Sequence, residues 1–181
     1  MEKYFTNKQD AVLLVIDIQD KLMPVMKYGE QVINNTNTLI TIAKDLAIPI
    51  MVAEMYPKGL GHTVPEVKGL EDVPIFEKIT FSAYTHELSA ALKQLGRKSI
   101  LVTGMETHVC VYQTVRDLLF ARYNVFLVAD GVCSRTKENY RSGLSLMAAM
   151  GAVITNTETV FFDLMKEAGT PQFRKLSKLI K

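Results

Sequence analysis

The sequence predicts an α/β fold, one doubly wound unit of six buried parallel strands interleaved with five helices. Three observations predict it. The apolar runs are continuous, as expected of strands covered on both faces. Each is followed by a longer stretch with helical spacing, as parallel crossovers require. The length of 181 residues, 48% apolar and 22% charged, suits one domain with a full core and leaves no room for a second catalytic domain. A single domain over residues 1–181 is therefore expected.

The elements follow in order. Ala11–Asp17 (AVLLVID) is the first strand and Glu30–Leu46 the first helix, followed by a strand at Ile48–Ala53. From Glu54 to Glu77 the chain is irregular, with Gly59, Gly61, Gly69, Pro57, Pro65 and Pro74, and it closes on a short strand, Pro74–Glu77. A loop of that length inside a compact domain is usually functional. A helix at Thr85–Leu95 leads to a strand at Ser99–Thr103, then a helix at Thr107–Ala121 with Thr107 as its N-cap. Asn124–Ala129, Lys137–Met150, Ala152–Thr155 and a weaker helix at Thr157–Lys166 complete the alternation. At the C-terminus a helical reading aligns Phe173, Leu176, Leu179 and Ile180, with Arg174, Lys175, Lys178 and Lys181 largely elsewhere. That face either packs on its own domain or joins copies of the chain.

Composition narrows the function. A net charge of +2 with no broad basic face argues against nucleic acid as a partner. Cys110 and Cys133 are too few for a disulfide framework, so both are expected to be free thiols in a reducing compartment. Met1–Phe5 lacks the build of a secretory signal, and the weakly polar run Gly143–Ile154 is too short to span a bilayer. A cytoplasmic protein without a membrane partner is the expectation.

In open parallel sheets ligands bind beyond the carboxyl ends of the strands, so the residues following each apolar run are the candidates. Asp17 places a carboxylate at the end of the first strand; taken alone it reads equally as a turn cap. Lys78 follows the short third strand, where a lone lysine is more often a surface residue with a buried stem. Cys110 falls in the first turn after Thr107, where helix dipole and free backbone N–H groups favour a thiolate and an oxyanion. An arbitrary free cysteine is more often inert, and Cys133, in the segment Asp130–Thr136, is read that way. Gln19, Met23, Tyr56, Phe81, Met105 and His108 are the candidate walls of a substrate pocket, a mixture suited to a small, partly apolar, uncharged molecule. After the first strand the chain reads Asp17-Ile18-Gln19-Asp20-Lys21, without the glycine-rich turn of a dinucleotide-binding protein.

The stretches AVLLVIDIQD, FEKITFS, VTGMETHVCVYQT, EMYPKGLGHTVPEV and ADGVCSR resemble the isochorismatase-like cysteine hydrolases, in particular the isochorismatase-domain-containing subgroup, over nearly the whole chain. The resemblance implies a three-layer α/β/α sandwich with a six-stranded parallel sheet of order 3-2-1-4-5-6, and a homo-oligomer. It also implies an Asp17-Lys78-Cys110 triad, a cis peptide at Met105–Glu106, and an oxyanion hole from the Glu106 and Cys110 N–H groups. Two branches of the family fit poorly. Nicotinamidases bind a metal through an Asp-x-His cluster and a further His after the second strand, where this chain has only Glu54 and His62, and His86 and His108 lie far off in sequence. No metal and no cofactor are expected. True isochorismatases lack the nucleophilic cysteine. The sequence reading is thus a metal-independent cysteine hydrolase that cleaves a small amide-like or ureido C–N bond through a thioester. Its alternative is a non-catalytic binding or scaffold protein on the same fold.

Overall fold

The computed structural model describes residues 4–180, so Met1, Glu2, Lys3 and Lys181 lie outside the described residues. Its core is a six-stranded sheet, all parallel, in the order β3-β2-β1-β4-β5-β6. The strands are β1 (Ala11–Ile16), β2 (Ile50–Met55), β3 (Ile75–Lys78), β4 (Ser99–Met105), β5 (Asn124–Cys133) and β6 (Val153–Thr155). Between and after them run α1 (Gly29–Asp45), a single turn α2 (Pro57–Leu60), α3 (His86–Leu95), α4 (Tyr112–Phe120), α5 (Lys137–Ala149), α6 (Thr157–Met165) and α7 (Pro171–Leu176).

The continuous apolar runs are explained by two cores. Ala11, Leu13 and Val15 of β1 face one way with Val52, Leu101 and Phe126, under α1 and α6. Val12, Leu14 and Ile16 face the other way with Met51, Val102 and Leu127, under α3, α4 and α5. Every residue of β1 is fully buried. Each such aliphatic side chain contributes about 1.5–3 kcal/mol by leaving water, so the central strand is also the anchor of the site at its C-terminal end.

Several boundaries depart from the sequence reading, for local reasons. β3 begins and ends one residue later than expected, because Val52 N–H bonds to Pro74 O and strand pairing then starts at Ile75. Lys78 is consequently the last residue of β3, paired with Met55. β5 runs on to Cys133, past a register shift between Val102 and Gly104, so Cys133 ends a strand instead of sitting in a loop. Thr107 is not an N-cap: Glu106 holds that place, and Thr107–Val111 form a turn of π-helix before α4.

The C-terminal face packs on its own domain. Phe173 lies 5.7 Å from Phe161 and 6.2 Å from Phe162 between ring centroids, and Leu176 is buried in the α1–α6 core. Leu179 remains partly exposed. This segment therefore gives no support to assembly.

Candidate functional site

Asp17 and Lys78 stand at the ends of β1 and β3 and Cys110 in the turn that follows β4, strands that the sheet order makes neighbours or near neighbours, and the ends of β1 and β4 are forced close together. Ile16 pairs with Gly104, and a Cβ on Gly104 would lie 1.9 Å from Ile16 O. Only glycine fits there, at φ +125°. Asp17, immediately after, has φ 53°, a left-handed conformation uncommon for a residue with a side chain. Such strain persists where surrounding structure over-determines it, and at sites of function. Here it turns the Asp17 carboxylate into a fully buried position at the rim.

The partner of that carboxylate is Lys78. Its Nζ donates to Asp17 Oδ2 at 2.7 Å, to Phe81 O at 3.1 Å and to Thr80 O at 3.4 Å, and both charged side chains are almost wholly buried. A buried ion pair contributes little net stability, whereas removing one partner leaves an uncompensated charge. Asp17 Oδ1 makes no regular hydrogen bond. Burial pushes the Asp17 carboxyl above the ordinary aspartate range, against the lowering influence of Lys78 and smaller ones from Cys110 and Met55.

Cys110 completes the group. Its thiol interacts with both Asp17 and Lys78, through their charges and through side-chain hydrogen bonding. Burial first, then the Asp17 carboxylate, push its pKa up to about 12, with Lys78 acting in the opposite direction. The expectation of a thiol lowered by a helix dipole is thereby corrected: the cysteine sits in a buried π-turn, beside an anion, and both influences favour the neutral thiol. The peptide bond Met105–Glu106, at the start of this turn, is cis.

Two clamps that sequence reasoning missed hold the turn. Thr114 Oγ1 donates to Cys110 O at 2.6 Å and accepts from Ala83 N–H at 2.8 Å, tying the cysteine turn to the segment that follows Lys78. Thr114 lies four residues after Cys110, so its hydroxyl reaches back one helical turn, but nothing in the sequence distinguishes it from other helical threonines. The buried Glu106 carboxylate accepts from Arg135 N–H at 3.0 Å and from Arg135 Nε at 3.1 and 3.2 Å, which joins the ends of β4 and β5.

The candidate wall residues divide. Both amide hydrogens of Gln19 are taken up by Met55 O (2.9 Å) and Gly61 O (2.6 Å), and its Oε1 accepts Met55 N–H (2.8 Å); it fastens the loop after β2. Met105 is buried in the core. Met23 lines a separate depression with Asp20 and Val64. Tyr56 and Phe81 are half exposed, and Tyr56 lines with Ile79 and Lys78 an open depression of about 350 Å³. His108 Nδ1 lies 3.0 Å from Ser134 Oγ. Glu54 is buried and holds Thr63 N–H and Thr63 Oγ1, each at 2.7 Å, and His62 Nδ1 at 2.9 Å. Among the described residues no three His, Cys, Asp or Glu side chains group as metal ligands do, and no helix is long and apolar enough to cross a membrane.

Comparison with known proteins agrees with this architecture. The isochorismatase domain pattern matches residues 11–159. The secreted isochorismatase effector Isc1 of Phytophthora sojae (strain P6497) is 41% identical over 177 residues, covering 94% of this chain and 84% of that protein. Isochorismatase domain-containing protein 1 of Salmo salar is 36% identical over 172 residues; the match takes in 94% of this chain and 61% of that longer protein. Among solved structures, the MAR1 ribonuclease of Caenorhabditis elegans superposes with a TM-score of 0.92 at 37% identity, covering 97% of this chain and 92% of that one.

Proposed function

The chain belongs to the isochorismatase family, and we propose that it is a metal-independent cysteine hydrolase cleaving a small amide-like or ureido carbon–nitrogen bond. The observation that carries the reading is the buried Lys78–Asp17 pair at 2.7 Å with the Cys110 thiol beside both.

Asp17 is the base. Burial raises its carboxyl toward the range in which it accepts a proton, and the thiol it must deprotonate stands at about 12, so a free thiolate does not accumulate. Proton transfer to Asp17 is therefore coupled to attack of Sγ on the substrate carbonyl carbon. The new S–C bond leaves the carbonyl oxygen negative, and the Glu106 and Cys110 N–H groups receive it. Collapse breaks the C–N bond, and the amine or ammonia leaves with the proton held by Asp17. Water, deprotonated by Asp17, then cleaves the thioester to the acid and regenerates the thiol. Lys78, hydrogen-bonded to Asp17 at 2.7 Å, keeps the site's charge balanced while Asp17 cycles. Tyr56, which lines a depression with Lys78, and Phe81, whose carbonyl accepts from Lys78 Nζ, are the exposed wall residues nearest the pair.

The C. elegans relative is named a ribonuclease. A phosphodiester substrate fits this site less well, because the three Lys78 donors are engaged by Asp17 and two carbonyls, and the net charge of +2 supplies no broad basic face. Action in the cytoplasm belongs to the same reading and rests on two free, buried thiols. So does a homo-oligomer, supported by the exposed Phe120 and Ile79 instead of the C-terminal helix; a monomeric mass by light scattering would remove it. The function is tested by screening primary amides, ureido compounds and cyclic imides for release of ammonia or acid, with RNA in parallel and Cys110→Ala as the blank. Hydrolysis of RNA alone, or hydrolysis surviving in Cys110→Ala, would overturn it.

A further inference from the structure

We propose that a cavity beside the C-terminal half of β5 is a second small-molecule site, built for a small aromatic monocarboxylate. β6 pairs with β5 only over Phe126–Val128, so the next residues of β5, Ala129–Cys133, run on past the end of β6. The first turns of α1 and α5 lie over the gap without filling it, leaving a cavity of about 190 Å³.

Its walls are chiefly apolar. Tyr28 and Tyr140 present aromatic rings, Ala129 and Val132 aliphatic surface, and Cys133 a buried thiol. Tyr140 is held in place by a hydrogen bond from its hydroxyl to Ala129 O at 3.0 Å. An apolar cavity of roughly 150 Å³ is known to accept benzene, so a single six-membered ring with one substituent fits this one. Two aromatic walls favour a flat ring over a branched chain of the same volume.

Charge selects the substituent. Lys137 lines the cavity at its exposed edge and makes no ion pair among the described residues, and none of the lining residues is acidic. The Thr136 and Ser134 hydroxyls stand beside it as further donors. A ring within and a carboxylate toward Lys137 match both features. Binding is non-covalent: burial and the nearby Glu106 carboxylate push the Cys133 thiol up to about 12, so it stays neutral.

Asp17, Lys78 and Cys110 are absent from this lining, and the connection to them is indirect. Ser134 Oγ is shared with His108, which precedes Cys110 by two residues in the same π-turn. A carboxylate that accepts from Ser134 engages a hydroxyl that already touches His108, and the occupied cavity is thereby joined to the cysteine turn.

The test is calorimetric titration of the full chain with benzoate, benzamide and acetate. Benzoate is expected to bind saturably with a Kd below about 1 mM, at least tenfold tighter than either of the others. Ala129→Leu, which fills the cavity, should weaken benzoate at least tenfold, and Lys137→Ala should weaken benzoate at least fivefold while leaving benzamide unchanged. Cys110→Ala should bind benzoate like the parent protein, which separates this site from the proposed hydrolysis. If Ala129→Leu fails to fold, the exposed Lys137→Ala change still decides the matter. Absence of saturable binding, benzamide binding as tightly as benzoate, or both cavity variants binding normally would overturn the proposal.

Discussion

The molecule holds two free cysteines with nearly the same burial and, through it, nearly the same acidity: Cys110 is 7% exposed, Cys133 2%, and each thiol is pushed up to about 12. What separates them is their neighbours. Around Cys110 a carboxylate and an ammonium are paired at 2.7 Å and both act on the thiol, one raising its pKa and the other lowering it. Around Cys133 the Glu106 carboxylate raises the thiol further and, among the described residues, no cation opposes it; that carboxylate is itself engaged by Arg135. Acidity in the resting protein is thus a poor guide to which thiol is a nucleophile. A base and a cation within reach of the same sulfur matter more, because they act when the substrate arrives.

The largest expected difference between the two is in turnover. Cys110→Ser and Cys110→Ala should lower kcat about 10³-fold or more, since no nucleophile remains and losses of that order follow removal of such groups. Cys133→Ser should change kcat less than about twofold. Circular dichroism establishes that each variant is folded. Equal losses in Cys110→Ser and Cys133→Ser would erase the comparison.

Next comes the pair that distinguishes the Cys110 environment. Asp17→Asn should lower kcat about 10²-fold or more by removing the base. Lys78→Met should do the same, and it should also destabilise the fold, because the Asp17 charge is left buried without its partner. The double variant Asp17→Asn/Lys78→Met should recover much of that stability and none of the activity. Urea unfolding read beside kcat separates the two effects; a double variant no more stable than Lys78→Met would mean that the charge was never uncompensated.

These predictions rest on a fold that was largely legible in the sequence and a site that was legible only in part. The all-parallel sheet showed itself because short runs such as AVLLVI have apolar side chains on both faces, as strands of a sheet covered on both sides require, and alternate with longer helical stretches. Asp17, Lys78 and Cys110 were visible as ionisable groups at strand ends. The clamps around them were not: the Thr114 hydroxyl acts on Cys110 O and on Ala83, thirty-one residues away in sequence, and no periodicity encodes that meeting. A polar residue beside a strand end, such as Gln19, reads as an accessible pocket wall, yet its amide is taken up by backbone at and after the end of β2. The direction of the Cys110 shift was missed for the same reason, since burial and the approach of Asp17 are properties of the folded chain.

A smaller effect bears on what the cysteines share. A thiol whose pKa in the folded state stands above its unfolded value gives stability that is present in full below about pH 9 and lost as pH rises toward 12. At pH 10.5 each thiol should therefore have withdrawn about 2 kcal/mol, from 1.36 kcal/mol per pH unit. Wild-type protein should lose stability between pH 9 and 11 more steeply than Cys133→Ser, and Cys133→Ser more steeply than the variant lacking both thiols. Identical slopes in urea titrations across that range would show that burial does not hold the thiols neutral.

The smallest effect is the one that isolates the neighbours from everything else. Iodoacetamide reacts with thiolate, and at pH 8 two thiols near 12 offer the same minute fraction of it. Acidity alone then predicts equal alkylation rates for Cys110 and Cys133. The extra reach of Cys110 is an adjacent carboxylate to take the proton as the sulfur attacks and an ammonium to stabilise the charge that develops. Cys110 should accordingly alkylate about tenfold faster than Cys133, measured by peptide mass spectrometry of briefly treated protein. The 7% against 2% exposure also favours Cys110, so the control is the double variant Asp17→Asn/Lys78→Met, which leaves exposure in place and removes both the carboxylate that raises the thiol and the ammonium that lowers it. There the ratio should fall toward unity. A ratio that stays near ten in the double variant would assign the difference to access, and the charged pair would then have no part in activating the sulfur.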